Sequence, residues 1–288
     1  MNKNKINFSL PDFFYNFKLN KIFIELNQKY PQYFYDNFVI SSVYGEFPYS
    51  IWGLRKAKKY LSKELILKIL KYFSDRKISV HFSFENMLLE EKHLNDTFSN
   101  MCLKLANDKR NAVILNSLIL RDYIKAKYSK FSIITDFNAG IAADIYSIND
   151  SVFDSNCIEQ SGRKKYQVIL NNPCLDECGL KDIHIKYLSA EQINFNKNYP
   201  YFPCEAEYNC SFETIQGRKN FISSEKLKTK YIEKGFNNFK ISSEGLMYTL
   251  QKEYSLDDIL KSYLYYMIKP EFEEIVRVKV AQEDINGR

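Results

Sequence analysis

Six cysteines raise the first chemical question. Cys174 and Cys178 form C-x3-C in the stretch VILNNPCLDECGLKDIH (168–184), and Cys204 and Cys210 form C-x5-C in FPCEAEYNC (202–210). Four thiolates on two loops are a donor set for tetrahedral zinc or for a cubane iron–sulfur cluster, because both take four soft ligands that short loops present easily. The spacing is looser than the C-x2-C of zinc ribbons, so ordinary thiols are the competing reading. Cys102 falls in a helical pattern, where a core thiol is expected, and Cys157 in an irregular stretch.

A second group lies in FENMLLEEKHLNDTF, residues 84–98. On a helix Glu90 and His93 share a face, as do His93 and Asp96. An imidazole between carboxylates is a general acid or base near neutral pH. Glu85 and Asn86 leave the preceding strand beside them. A plain helix start explains the same acids, since they complement the macrodipole. His81 alternates with Val80 and Phe82, so it points either into a barrel or at a covering helix, and His184 opens a helix after the Cys pair.

Lys240 is a lone lysine late in an otherwise apolar strand, NFKIS. Inside a barrel such a lysine forms a Schiff base or holds a phosphate or carboxylate; snorkelling is the alternative. Residues 41–60, SSVYGEFPYSIWGLRKAKKY, put Ser42, Tyr44, Trp52 and Arg55 in or near one long loop. They fit ring stacking and anion clamping, or an aromatic mini-core under the loop. Asn116 and Asn171 end two further strands and complete the candidate substrate-binding set.

Positioning these groups requires a scaffold, and the pattern supplies one. Runs with strand character are 21–26, 38–45, 78–85, 111–117, 131–137, 166–172, 220–223 and 237–243. Helical patterns fall at 62–77, 90–108, 118–128, 225–235 and 255–268, with Ser62 as a cap and Gly235 where a C′ glycine belongs. Eight strands alternating with helices predict a (β/α)8 TIM-type barrel, a single domain over 1–288, and no Gly-rich phosphate loop favours a doubly wound sheet. Stretches 138–165 and 194–220 read as irregular. In such a barrel, function belongs at the C-terminal strand ends, where most of the residues above fall.

Composition limits the partners. An apolar content of 45% supports a large core. The charge of +6 is compatible with nucleic acid, but the lysines are scattered, so a solvated surface and a small-molecule substrate are favoured. No signal-peptide pattern and no run approaching roughly 18 apolar residues is found, so a cytoplasmic protein without a membrane partner is expected. In that reducing compartment the cysteines are not expected to be disulfides.

The stretch YIEKGFNNFKIS, residues 231–242, resembles the barrel-closing segment of the bacterial collagenase-like peptidase family, a helix, a Gly turn and a strand of the form hydrophobic-Lys-Ile-Glu-Gly-Arg. Gly235, Phe239, Lys240 and Ile241 match. The Glu-Gly-Arg does not, since Ser242, Ser243 and Glu244 stand there. The resemblance runs loosely over about 166–275, and FENMLLEEKHLNDTFSNMCLKL with NNPCLDEC is similar to a divergent bacterial subgroup. The family includes proteins of tRNA and ubiquinone hydroxylation, and members ligate a [4Fe–4S] cluster through four cysteines. The resemblance therefore implies a barrel and favours an iron–sulfur cluster over zinc on Cys174, Cys178, Cys204 and Cys210. A cluster on this scaffold suggests oxygen-independent hydroxylation or other redox chemistry on a small or RNA-linked substrate, and the residues read above, His93, Glu85, Asp96 and Lys240, are the expected acid–base and anion-binding groups. Two alternatives stay open: a non-redox hydrolase, lyase or transferase acting on a small or sugar-like metabolite, and a non-catalytic accessory protein.

Overall fold

The strand Ile6–Pro11 (β1) shows the rule on which the architecture is built. Phe8 and Leu10 on one face are buried at 2% and 0%, while Asn7 and Ser9 occupy the other. The apolar face meets helices and the polar face turns inward. The computed structural model describes residues 5–54, 61–150, 165–172, 179–194, 211–242 and 256–286.

Seven further strands follow: Phe38–Gly45 (β2), Ser79–Phe84 (β3), Ala112–Leu115 (β4), Ser132–Asp136 (β5), Ile145–Ile148 (β6), Tyr166–Ile169 (β7) and Asn238–Lys240 (β8). All pair in parallel in chain order, and β8 returns to β1 through Asn7↔Asn238 and Ser9↔Lys240, closing the barrel. The (β/α)8 fold class follows.

Helices α1 (Phe17–Lys29), α2 (Lys63–Asp75), α3 (Thr97–Leu105) and α4 (Leu118–Lys127) cover the first half of the barrel. In α2, Ser62 accepts from the Leu65 amide at 3.2 Å, and Ile66, Ile69, Leu70 and Phe73 form one buried stripe. Later come α5 (Lys181–Asn194), α6 (Phe212–Gln216), α7 (Ser224–Lys226, continued by a π turn over Leu227–Ile232), α8 (Leu256–Met267) and α9 (Glu273–Asn286). Gly235 follows that π turn at φ +92°, the left-handed value expected of it. No helix among the described residues is long and apolar enough to cross a membrane.

Two of the expected strands are displaced. Residues 21–26 alternate like a strand, but Leu19, Ile22, Phe23 and Leu26 also repeat at helical spacing, and burying that stripe makes the segment part of α1. Residues 220–223 cross the end of β7 instead of joining the barrel: Phe221 makes an isolated antiparallel bridge to Asn171, and the Ile222 amide donates to the Leu170 carbonyl at 2.9 Å. The missing positions are filled by β1 and by β6, the latter inside the stretch read as irregular. Between β5 and β6 the chain makes only a one-turn 3-10 helix, Phe137–Ala139.

A bulge between β1 and β2 bears on the interior. Phe8 pairs with Ile40 but Ser9 with Ser42, which leaves Ser41 extra; its hydroxyl donates to the Phe8 carbonyl at 3.3 Å. Gly45, closing β2, is required by φ +142° and by the approach of the Asp12 backbone, 3.1 Å from where a Cβ would stand.

Candidate functional site

Barrel interiors are ordinarily filled by layers of branched apolar side chains. Here the large apolar cluster lies outside the strands, with Val43, Val80, Phe82, Val113, Ile133, Val168 and Phe239 facing the helices. The interior holds a smaller one, Tyr44, Ala112, Ile114 and Ile134, with Ile145 against it. The rest of the lumen is polar: Asn7 and Ser9 from β1, Ser42 from β2, Ser79, His81 and Ser83 from β3, Ser147 from β6, Gln167 from β7, and Asn238 and Lys240 from β8.

Much of this polarity is unsatisfied. Ser9 Oγ, His81 Nδ1, Ser83 Oγ, Ser147 Oγ and Gln167 Oε1 are buried without a hydrogen-bond partner. Native interiors keep few polar atoms without a protein partner. Five in one lumen indicate a binding cavity rather than a packing core. Around the N-terminal half runs a cavity of about 220 Å³ lined by residues of β1, β2, β3, β6, β7 and β8.

Lys240, in the C-terminal half, is 7% exposed. Its Nζ stands 3.8 Å from the centre of the Tyr44 ring, and the Tyr44 hydroxyl donates to the Ile241 carbonyl at 2.9 Å. No carboxylate pairs with Lys240 among the described residues. Burial, reinforced by the charge of Lys240, pulls His81 down to about 4, so its ring is neutral at pH 7.

The other residues singled out in the sequence lie elsewhere and have local partners. Residues 91–95 form a 3-10 turn rather than an α-helical start, and Glu90 and His93 meet there as a capping box, each side chain accepting from the other's backbone amide, while Asp96 closes the turn. His93 Nδ1 accepts from the Glu90 amide at 2.9 Å, Glu90 pairs with Lys92 at 2.8 Å, and Asp96 caps α3 by accepting from the Ser99 amide at 2.7 Å. Glu85 follows β3 directly and is half-buried. Trp52 is fully buried, edge-on to Phe84 and Tyr123, with its N–H on the His93 carbonyl at 2.8 Å, which makes it the mini-core under its loop.

Asn116 accepts from Thr135 Oγ1 at 3.2 Å and joins the ends of β4 and β5. Asn171 holds the end of β8, donating to the Ser242 carbonyl at 2.8 Å and accepting from the Ser242 amide at 2.6 Å. His184 is buried in α5, and burial pulls it down to about 4. Cys102 is a core thiol, pushed up to about 12 chiefly by burial. Arg55, Cys174, Cys178, Cys204 and Cys210 lie outside the described residues, as does Cys157. Among the described residues no group of three or more His, Cys, Asp or Glu is placed to hold a metal ion.

The lumen thus unites Lys240, Tyr44, Ser42 and His81 with Ser9, Ser147 and Gln167, which sequence reasoning passed over. For Ser9 the missed signal is the period of two in INFSLP, where Phe8 and Leu10 face outward.

No family model and no curated protein matches the chain. Among solved structures, one described as the U32 peptidase Mk0906 is similar, with a TM-score of 0.50 and 13% identity over 85% of this chain and 95% of that one. At that identity the likeness shows the barrel fold.

Proposed function

We propose that the chain is a barrel enzyme for a small anionic metabolite, which sits in the C-terminal half of the lumen against Lys240. The observation that carries this reading is the burial of the Lys240 ammonium with no described counter-ion. A buried unpaired charge is costly, and a carboxylate or phosphate on the ligand offsets that cost where no side chain does. Ser83 and Ser147, unpartnered at the same end, offer hydroxyls to the rest of the molecule. Glu85 leaves β3 at that end and is the proposed proton acceptor. Barrel enzymes work at this face.

Calorimetric titration with inorganic phosphate, acetate and oxalate tests the proposal. Saturable binding by the unaltered chain, lost in Lys240→Met and kept in Lys240→Arg, is expected. No binding of any of the three by the unaltered chain overturns it.

A redox form of the reading rests on the spacing of Cys174, Cys178, Cys204 and Cys210, all in the connection from β7 to β8. Their thiolates would hold a [4Fe–4S] cluster, or zinc in a non-redox enzyme, and the cluster would supply electron transfer. Iron, sulfide and zinc quantified on protein purified without oxygen decide between them, with about four irons per chain expected for the cluster.

A further inference from the structure

The N-terminal half of the lumen has a different chemistry from the Lys240 end. Its cavity is lined by Asn7, Ser9, Ser41, Ser42, Ser79, His81, Ile145, Gln167, Asn238 and the Phe239 segment, and neither Lys240 nor Tyr44 is among them. Asn7 Nδ2 donates to Asn238 Oδ1 at 3.0 Å. Ser9 Oγ, His81 Nδ1 and Gln167 Oε1 have no partner, although these residues are only 1%, 9% and 5% exposed.

We infer that this cavity is a second binding site, for a small uncharged molecule bearing several hydroxyl groups, admitted at the N-terminal mouth of the barrel. Four features select that class. Hydroxyls, an amide carbonyl and an imidazole nitrogen converge on the cavity, and a polyol, being donor and acceptor at each hydroxyl, matches such a mixed set. No carboxylate, lysine or arginine lines the wall, so no ionic group on the ligand finds a counter-charge there. Ile145 gives a patch for C–H groups. A volume of about 220 Å³ is that of roughly seven waters and suits a pentose-sized ligand.

The position also matters. Asn7, Ser79, Ile145 and Asn238 stand at or next to the first residues of their strands, so the cavity opens opposite the face used in the proposed reaction. The bulge at Ser41 widens the polar wall by setting two consecutive serines on it. A barrel bottom that served stability alone would be filled by apolar side chains.

Nuclear magnetic resonance of protein labelled at its histidine rings tests the inference, with D-ribose, glycerol and acetate as probes. Ribose is expected to shift the His81 signals saturably in the unaltered chain and in Lys240→Met alike, glycerol more weakly, and acetate not at all in Lys240→Met, where the anion site beside His81 is gone. Gln167→Met, which fills the wall and removes an unpartnered carbonyl, should weaken ribose binding about tenfold while melting no lower than the unaltered chain. Ser9→Ala repeats the test should Gln167→Met fail to fold. His81 signals that do not respond to ribose or glycerol mean that the cavity holds water only and overturn the inference. A response of Lys240→Met to acetate alone overturns it as well. Neither result bears on phosphate or oxalate binding at Lys240.

Discussion

Lys240 holds its ammonium 3.8 Å above the Tyr44 ring, which spans the lumen from β2 to the end of β8. A cation over an aromatic face gains about 2 kcal/mol when desolvated, less than the solvation a buried ammonium forgoes. The contact orients the lysine without neutralising it. That residual charge is felt at His81, and it is what an anionic ligand would answer.

Lys240→Met therefore has a two-part expected outcome. The His81 pKa rises from about 4 when the neighbouring charge goes, and stays below its usual value because burial is the larger cause. The fold gains on the order of 1–2 kcal/mol, since an uncompensated group has been removed. Histidine titration followed by nuclear magnetic resonance and urea unfolding check the two parts. An unmoved His81 would mean that the pair is not electrically coupled.

Acid sensitivity follows from the same residue. His81 is depressed in the folded chain and near 6.5 in the unfolded one, so between these values the unfolded state binds the extra proton. Stability is full above about pH 6.5 and falls as pH drops toward 4, by about 3 kcal/mol for a shift of this size. His184 is depressed to about the same value and adds a loss of the same sign. Urea midpoints measured from pH 7 to pH 4.5 should decline in the unaltered chain and more gently in His81→Gln. Equal slopes would remove His81 as the cause.

Asp96 is expected to act as a helix cap. Asp96→Ala should cost about 1 kcal/mol, Asp96→Ser should recover most of it, and ligand binding in the lumen should be unchanged in both. Thermal melting alongside phosphate titration separates this from a role in acid–base chemistry, which serine would not rescue.

How much of this was legible in the residues varies by element. The barrel was, because its outward faces are apolar and its helices carry continuous stripes such as Ile66, Ile69, Leu70 and Phe73. β1 was not, because Asn7 and Ser9 interrupt its apolar residues, and β6 was not, because it is only four residues long. Residues 21–26 satisfy two periodicities at once, and only packing chooses between them. Ser42, Tyr44 and Lys240 were selected as strand-end residues and do face the lumen. Ser9 and Gln167 were invisible, since their importance depends on a register and a closure that bring six strands around one cavity.

The seam where the last strand meets the first has a consequence during synthesis. The side chains of Asn7 and Asn238 hydrogen-bond across 231 positions of chain. At about 5–20 residues per second, a ribosome delivers β8 roughly 10–50 s after β1. Throughout that interval β1 has an open edge, ready to pair with any strand it meets. Its inward Asn7 and Ser9 make the nascent face wettable, so the polarity that leaves the finished barrel partly unsatisfied keeps the unfinished one from sticking.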